Sequence, residues 1–348
     1  MILQKKHIVF ITPGFPENEA DTTCIPALQI YAKELQEQKN IQLSIITLHY
    51  PFTKTEYNWH KVKVIPLGFN NRKLVFKKSL VQKTLNKLHQ QNPIHTLHSF
   101  WLGECALAGY KFSKKHSLKH ICTLMGQDAK KGNKYANLLP LKDLKLITLS
   151  SFHQQLFLKN YNKETEIINW GLPSDFQKET TKKTIDIIGV GSLIELKRYQ
   201  DFIETIALLK KDFPKIKAVL IGDGKQRKKL ENLSEKLKLS QNITFKGELD
   251  YKATQEKIAQ SKILLHPSSY ESFGMVFAEA LANNTKIVSR KTGFAKESDF
   301  WKTTNSPKGF AKLISIFFNE NSTKKMTYPL IENTLKGYLK LYKNEENH

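Results

Sequence analysis

The sequence has little of what marks secreted, membrane-spanning and metal-bound proteins. Among 348 residues it has only Cys24, Cys105 and Cys122, and their odd number and wide spacing predict neither a disulfide framework nor a zinc site. No apolar run approaches the roughly 18 residues of a membrane span. The opening MILQKKHIVFITPG has too short an apolar core for a signal peptide and predicts a buried strand. We therefore expect a cytoplasmic protein.

Acidic residues are also scarce. The chain has 55 lysines and arginines against 32 aspartates and glutamates, which gives a net charge of +23. Such an excess favours anionic partners, including nucleic acids, phosphorylated substrates and anionic membranes. A merely lysine-rich composition would give the same charge. Because the basic residues are dispersed, with no arginine-rich tract or RNA-binding motif, we expect no nucleic-acid partner.

What the sequence does have is a regular alternation of β-rich runs and helical patterns. Runs such as HIVFIT (7–12) and QLSIITL (42–48) recur in the first half, and IDIIGVGS (185–192) and KILLHPS (262–268) recur in the second. Strands that alternate with helices predict parallel sheets with right-handed crossovers. The predicted fold class is α/β, with two doubly wound Rossmann-like domains that face a central cleft.

The domain boundaries follow from one polar stretch without periodicity, residues 173–184, which predicts a linker. We expect a first domain over residues 1–172 and a second over residues 185–330. A C-terminal helix within residues 331–348 is expected to pack back on the first domain.

Glycines and cations follow the predicted strands of the second domain. Gly191 and Ser192 end the first strand, and Lys197 and Arg198 precede a helix, an arrangement that suits a diphosphate. The next two strands end at turns that contain Gly222 and Gly247. Ligands bind at the carboxyl ends of such strands. Each feature alone is equally typical of an ordinary strand-to-helix turn with an exposed basic pair.

The stretch HPSSYESFGMVFAEALANN (266–284) gives the strongest signal. It predicts a helix that begins near Gly274, so that the backbone N–H groups of Phe273 and Gly274 lie at the positive end of the helix dipole. Glu279 lies about 7.5 Å further along, a distance that suits the ribose of a nucleotide whose diphosphate is bound at the helix start. Glu271 precedes the helix and would meet the other end of the ligand. In the alternative, Glu279 pairs with a basic neighbour in the core.

The spacing of Glu271 and Glu279 resembles the Glu-x7-Glu motif of the retaining glycosyltransferases of family 4, which have the GT-B fold. GVGSLIELKRYQDFIETI (189–206) is similar to the first segment of that family's donor domain, and the resemblance extends over nearly the whole chain. The family often has arginine where this chain has Ser192, so either Arg198 supplies the second cation or Lys197 serves alone.

The resemblance implies a role for each matched residue. The first domain would bind the acceptor and the second a nucleotide-diphosphate sugar, with Lys197 on the diphosphate. Phe273, Gly274 and Met275 would offer backbone donors to the β-phosphate. Glu271 would lie near the transferred sugar and Glu279 at the ribose. The sequence has no Asp-x-Asp and no cluster with metal-ligand spacing, so we expect no metal and no cofactor. Lys197, Arg198 and the helix start would stabilise the leaving diphosphate instead.

In the first domain, His98 and Asp128 follow predicted strands and are further catalytic candidates. Residues 70–91 form a basic helical stretch, which favours an anionic membrane surface and a lipid-linked acceptor unless its apolar stripe packs on the sheet. The residues that give the stretch this character are Leu74, Lys77, Lys78, Val81, Leu85 and Leu88.

We therefore predict a glycosyltransferase that moves a sugar, with retention, from a nucleotide-diphosphate sugar to a glycan or lipid-linked acceptor. The expected setting is cell-surface polysaccharide or lipopolysaccharide synthesis, with peripheral contact at the inner face of the plasma membrane. A GT-B-fold nucleotide-sugar epimerase is an alternative, although it would need more carboxylates and histidines in the first domain. A catalytically inactive basic binding protein is another, and the intact Glu271 and Glu279 pair argues against it.

Overall fold

The computed structural model describes residues 5–69, 74–176, 181–320 and 326–343, and within the helix that starts at Leu74 it describes side chains from Ser79 onward. The chain divides into two compact units. The first comprises residues 1–170 and 331–348, and the second comprises residues 171–330. The predicted linker thus falls inside the second unit, and its residues 177–180 lie outside the described residues.

The first unit is built on an eight-stranded sheet. Its strands are β1 (Lys6–Gly14), β2 (Ile41–Tyr50), β3 (Tyr57–Trp59), β4 (Val62–Pro66), β5 (Ile94–Phe100), β6 (Lys119–Thr123), β7 (Lys145–Thr148) and β8 (Glu166–Ile167). Their order is β3-β4-β2-β1-β5-β6-β7-β8, and every neighbouring pair is parallel except β3 with β4. The order reverses between β1 and β5, as in doubly wound sheets.

Among its described residues, six α-helices belong to this unit: α1 (Pro26–Gln36), α2 (Leu74–Gln91), α3 (Glu104–His116), α4 (Lys134–Leu138), α5 (Ser151–Tyr161) and α11 (Ile331–Tyr342). Local sequence sets several of their starts. Pro26 occupies the first turn of α1, where its missing N–H costs no hydrogen bond, and the Ser150 hydroxyl caps α5 by accepting from the N–H of His153.

The C-terminal helix α11 is tied to the strands of the first unit by buried hydroxyl groups. Tyr342 lies 2.7 Å from the hydroxyl of Tyr31 and 2.6 Å from Nδ1 of His98. The hydroxyl of Tyr338 lies 2.9 Å from that of Thr123. Each contact joins residues more than 200 positions apart, so the last helix completes the core of the first unit.

The apolar stripe of helix α2 packs against the sheet of the first unit. Val81, Leu85 and Leu88 are buried and pack with strand residues such as Val9 and Leu97. This is the alternative in which the stripe packs on the sheet, and these three residues give no support to a membrane-binding face. The side chains of Leu74, Lys77 and Lys78 lie outside the described residues.

The second unit is built on a six-stranded sheet in which all neighbours are parallel. Its strands are β9 (Ile185–Val190), β10 (Ala218–Ile221), β11 (Ile243–Gly247), β12 (Ser261–His266), β13 (Lys286–Ser289) and β14 (Trp301–Thr303). The order is β11-β10-β9-β12-β13-β14. The first strand, β9, lies next to the fourth, β12, and the chain direction across the sheet reverses there. Dinucleotide-binding sheets bind their ligands at this switch point.

In the described part of the second unit, five α-helices cover this sheet: α6 (Tyr199–Leu209), α7 (Arg227–Lys236), α8 (Tyr251–Ala259), α9 (Met275–Ala282) and α10 (Pro307–Asn319). One buried apolar cluster, which contains Phe202 and Phe310, lies on one face of the sheet, and another, which contains Phe277 and Trp301, lies on the other. The inner strands β9, β10, β12 and β13 are largely buried on both faces, which explains their nearly continuous apolar sequences.

The structure confirms the predicted α/β class with two doubly wound, Rossmann-like units. In the described part of the chain, no helix combines the length and the apolar character that a membrane crossing requires.

Candidate functional site

The loops that follow β9 and β12 meet at the switch point of the second sheet. The carbonyl of Leu196 accepts hydrogen bonds from the backbone N–H and the hydroxyl of Ser269, both at 3.0 Å. This fixes the short 3-10 turn that carries Lys197 against the loop that carries Glu271. Two predicted site residues that are 74 positions apart are thereby brought together.

Three side chains form a charged cluster there, which we call the Lys197–Glu271–His266 triad. Nζ of Lys197 lies 2.5 Å from Oε1 of Glu271, and Nε2 of His266 lies 2.7 Å from the same oxygen. The side chain of Glu271 is 13% exposed and that of His266 is 1% exposed. The triad is thus buried, with the lysine side chain the most accessible of the three, at 20%.

Opposing effects set the charges of this triad. Burial acts to raise the pKa of Glu271, but the charge of Lys197 and the hydrogen bond from His266 outweigh it and bring that pKa to about 2. Burial lowers the pKa of His266, against the opposing effect of Glu271. Near neutral pH the glutamate is therefore a carboxylate, and a neutral His266 donates its Nε2–H to it.

His266 was not among the residues proposed from the sequence. It ends strand β12 immediately before Pro267, and a single histidine at a strand end does not reveal its partner. The signal that could have identified it is its position five residues before Glu271, on the loop already assigned to the ligand.

Helix α9 begins beside the triad without a side-chain cap. Its N-cap residue is Gly274, with φ of 87°, and no described side chain caps the helix. The preceding residue, Phe273, is buried, and its carbonyl accepts the N–H of Phe294 at 3.0 Å. The first N–H groups of an α-helix have no partner within the helix, so the segment Phe273, Gly274 and Met275 is suited to an anion.

Glu279 lies one turn further along α9 and is buried, with 6% exposure. It accepts a hydrogen bond from the hydroxyl of Tyr251 at 3.2 Å. Burial raises its pKa, and hydrogen bonds from Gln255 and Tyr251 oppose that rise. Among the described residues, no lysine or arginine forms an ion pair with Glu279. The structure therefore does not support the alternative in which Glu279 pairs with a basic neighbour in the core.

The predicted glycine turns adjoin one another at the same edge of the sheet. The N–H of Gly222 donates to the carbonyl of Gly247 at 2.7 Å, and a β-carbon built on Gly222 would lie 2.1 Å from the carbonyl oxygen of Gly191. These turns therefore pack backbone against backbone, which a side chain at Gly222 would prevent. Ser192, which follows Gly191 in the chain, is exposed.

Arg198 does not join the triad in this structure. It adopts a left-handed conformation, with φ of 52°, between the 3-10 turn and α6. Its guanidinium donates to Asp201 at 2.9 and 3.1 Å, and Asp201 also pairs with Arg290 at 2.7 Å. The predicted role of Arg198 as a second cation for the diphosphate stays a prediction. Arg198 forms part of a buried-acid cluster at the start of α6.

His98 has a structural position in the first unit. It is fully buried, with Nδ1 at 2.6 Å from the hydroxyl of Tyr342 and Nε2 at 2.8 Å from that of Thr123. Burial lowers its pKa well below the usual range. Because both ring nitrogens already have partners within the core, we replace its predicted catalytic role with one in holding α11.

Asp128 organises a loop. Its carboxylate accepts the backbone N–H groups of Leu102, Met125 and Gly126 at 2.7 to 3.2 Å. Burial raises its pKa, against the effect of these three donors. This arrangement assigns Asp128 to the loop after β6 and gives no support to a catalytic role. Within the described ranges, no three His, Cys, Asp or Glu side chains are grouped so that they could hold a metal ion.

Comparison with known families matches residues 173–331 to the family model of glycosyl transferases group 1. This part of the chain, which contains the triad and helix α9, is therefore a glycosyl transferases group 1 domain. The match stops short of the first unit apart from the first residue of α11.

Two curated proteins are similar to part of the chain. The phosphatidylinositol N-acetylglucosaminyltransferase gpi3 subunit of Schizosaccharomyces pombe is 28% identical over 141 residues, which are 40% of this chain and 31% of that protein. The lipopolysaccharide core biosynthesis glycosyltransferase LpsE of Rhizobium meliloti is 27% identical over 144 residues, 40% of this chain and 41% of that protein. The alignments thus span less than half of either relative.

A solved structure extends the likeness to both units. The Anabaena protein HepE, crystallised in complex with UDP and glucose, matches with a TM-score of 0.72 and 15% identity over 97% of this chain and 99% of that chain. At that identity the likeness establishes the fold alone, which is that of the GT-B glycosyltransferases.

Proposed function

We propose that this chain is a retaining hexosyltransferase that transfers a sugar from a nucleotide-diphosphate sugar to a glycan or a lipid-linked acceptor. The observation that carries the proposal is the Lys197–Glu271–His266 triad beside the uncapped start of α9, at the switch point of a glycosyl transferases group 1 domain. The group-1 match and the presence of UDP in the HepE crystal support a nucleotide donor.

In this proposal, Lys197 and the start of α9 bind the diphosphate. A lysine ammonium has three N–H donors, so Lys197 can keep one bond to Glu271 while another reaches a phosphate oxygen. The backbone N–H groups of Gly274 and Met275 add the favourable end of the helix dipole. As the sugar leaves, negative charge grows on the diphosphate, and these fixed donors stabilise it in the transition state.

Glu271 is proposed to accept hydrogen bonds from hydroxyls of the transferred sugar. The low pKa that Lys197 and His266 give it keeps it ionised, and His266 fixes its orientation. An acceptor of this kind binds the reacting sugar directly, so its contacts can strengthen as charge develops on the ring.

Glu279 is proposed to accept the ribose hydroxyls of the nucleotide. It is buried, and its donors among the described residues, Gln255 and Tyr251, are neutral, which leaves carboxylate lone pairs for a ligand. Its spacing from Gly274, about 7.5 Å along the helix, is what supports the assignment.

Retention and hexosyl transfer are proposed from the Glu271–Glu279 spacing and its resemblance to family 4. The acceptor is proposed from the relatives, since one is named for phosphatidylinositol glycosylation and the other for lipopolysaccharide core synthesis. We accordingly place the reaction in cell-surface polysaccharide or lipopolysaccharide synthesis on the cytoplasmic side, with peripheral contact to anionic lipid.

A thermal-shift screen of the whole chain against UDP-, GDP- and ADP-sugars tests the proposal. A ligand that binds only the folded state raises the melting temperature by mass action. We expect one nucleotide class to give a concentration-dependent rise that persists in EDTA, because Lys197 and α9 are proposed to serve in place of a metal. No rise with any donor would contradict the proposed function, and a rise that EDTA abolishes would contradict its metal-free form.

A further inference from the structure

The hydroxyl of Tyr199, the first residue of helix α6, has no hydrogen-bond partner among the described residues. The side chain is 2% exposed, so this hydroxyl is also removed from solvent. Buried polar groups in native structures are nearly always paired, because leaving one unpaired forfeits its hydration without replacement. An unpaired buried hydroxyl next to a proposed ligand site therefore calls for a partner that the protein itself does not supply.

The position of this hydroxyl indicates what that partner is. A β-carbon built on Gly191 would lie 3.0 Å from Oη of Tyr199 and 3.9 Å from Nζ of Lys197. Both donors thus border the same point beside Gly191, where the absence of a side chain leaves room. Burial and the nearby charge of Glu271 raise the pKa of Tyr199 well above its usual value, so the hydroxyl keeps its proton.

We propose that Tyr199 donates a hydrogen bond to a phosphate oxygen of the nucleoside diphosphate, beside the ammonium of Lys197. This inference rests on the proposed function and adds a ligand-binding residue to it. An ammonium can only donate, and the hydroxyl of Tyr199 has no acceptor for its proton among the described residues, so a group that accepts from both suits the point on which they converge. Anionic phosphate oxygens accept only, and hydrogen bonds to charged acceptors are the strong ones.

The ring of Tyr199 is already held in place for this contact. It is part of the buried cluster on one face of the second sheet and packs edge-on against Phe202, with ring centroids 6.2 Å apart. The hydroxyl therefore cannot turn to water, and it need not lose mobility when the ligand binds. Such preorganisation converts more of the contact into affinity.

Tyr199→Phe tests the inference, because it removes one oxygen and keeps the ring. Its control is Tyr338→Phe, the same change at a buried tyrosine of the first unit whose hydroxyl does have a partner, Thr123, at 2.9 Å. The measurements are the melting temperature of each whole chain without ligand and, by isothermal titration, its affinity for UDP, GDP and ADP and for the corresponding nucleotide sugars.

The two variants should differ in both measurements. Tyr199→Phe should raise the dissociation constant of the preferred diphosphate about tenfold. The melting temperature of the ligand-free chain should not fall, since no internal hydrogen bond is lost. Tyr338→Phe should lower the melting temperature and keep the wild-type affinity.

Other outcomes would overturn the inference. Wild-type diphosphate affinity in Tyr199→Phe would do so while leaving the proposed function standing. A loss confined to the nucleotide sugar and absent with the diphosphate would move the contact to the sugar and contradict the phosphate assignment. A wild-type chain that binds none of the three diphosphates would overturn the proposed function itself.

Discussion

At the scale of single residues, the two glutamates of helix α9 and its preceding loop have opposite electrostatic settings. Glu271 is held ionised by Lys197 and His266, whereas Glu279 is buried with a tyrosine hydroxyl and no described cation. Accordingly, the pKa of the first is lowered and that of the second is raised. The same substitution, glutamate to glutamine, should therefore have different consequences at the two positions.

Glu271→Gln should lower kcat more than it raises the donor KM, because the lost contact is made to the reacting sugar.

The pH dependence of the stability that Glu271 contributes has a definite sign. A carboxyl whose pKa falls from 4.5 to about 2 on folding stabilises the fold above pH 4.5, and that stability is lost as the pH falls towards 2. Urea unfolding at a series of pH values should show that the wild type's greater free energy of unfolding, relative to the variant, declines as the pH falls from 4.5 towards 2. Parallel stability curves would contradict the assigned ion pair.

Glu279→Gln should raise the donor KM with little change in kcat, because a ribose contact exists in both the ground and transition states. A buried carboxyl with a raised pKa favours the fold below pH 4.5 and costs stability as the pH rises through its folded value. The variant should therefore be at least as stable as wild type at pH 7. If Glu279 were paired with a core cation, the variant would instead lose about 3 to 5 kcal/mol. That loss with unchanged donor binding would remove the ribose role.

The sequence could identify Lys197 and Glu271, because each follows a strand at the carboxyl edge of a parallel sheet. It could not show that they touch, since 74 residues separate them. His266 and Tyr199 escaped notice because a histidine at a strand end and an aromatic at a helix start are both common in cores. The pairing of Arg198 with Asp201 could not be predicted either, because its left-handed backbone and this ion pair are tertiary features.

At the scale of elements, the start of α9 depends on Gly274. Its φ of 87° suits glycine, and a β-carbon there would lie 2.5 Å from the ring of Phe277. The ring belongs to the cluster under the sheet, so it cannot move aside without disturbing the core. Helix start, aromatic core and proposed anion site are therefore coupled at one residue.

Gly274→Ala should destabilise the second unit by about 2 to 4 kcal/mol, the sum of a left-handed alanine and an overpacked core. It should also weaken nucleotide binding. Gly132→Ala is the matched control, because Gly132 has φ of 90° and nothing within 4 Å of its built β-carbon. That variant should lose about 1 to 2 kcal/mol from the backbone alone and keep its affinity. Urea unfolding and titration measure both, and equal losses would contradict the packing argument.

Elements with strong periodicity were the predictable ones. Strand β1 contains the predicted HIVFIT, and strand β2 contains the predicted QLSIITL. Strands β3 and β14 have three residues each and were not predicted. Such short segments have no hydrophobic pattern of their own, and they are strands only because they pair with a neighbouring strand. For α2, amphipathicity was visible, but only packing shows that its described stripe faces the core.

At the scale of the whole molecule, the net charge of +23 predicts attraction to anionic surfaces. The chain should sediment with vesicles that contain phosphatidylglycerol and remain in solution with neutral phosphatidylcholine vesicles. Because the attraction is electrostatic, roughly 0.5 M salt should release it. Equal behaviour with both vesicle types would contradict the proposed membrane contact, and salt-resistant binding would contradict its electrostatic origin.

The central claim is that the second unit binds a nucleoside diphosphate through Lys197, and isothermal titration in EDTA tests it most directly. Wild type is compared with Lys197→Ala and with the control Lys262→Ala, which loses an ion pair with Asp186 at 2.8 Å and a cation–π contact with the ring of Phe318 at 5.8 Å. Lys197→Ala should weaken diphosphate binding roughly 10- to 100-fold, which is the range for hydrogen bonds to charged groups. Lys262→Ala should keep the wild-type affinity. Wild-type affinity in Lys197→Ala, or an equal loss in both variants, would contradict the central claim.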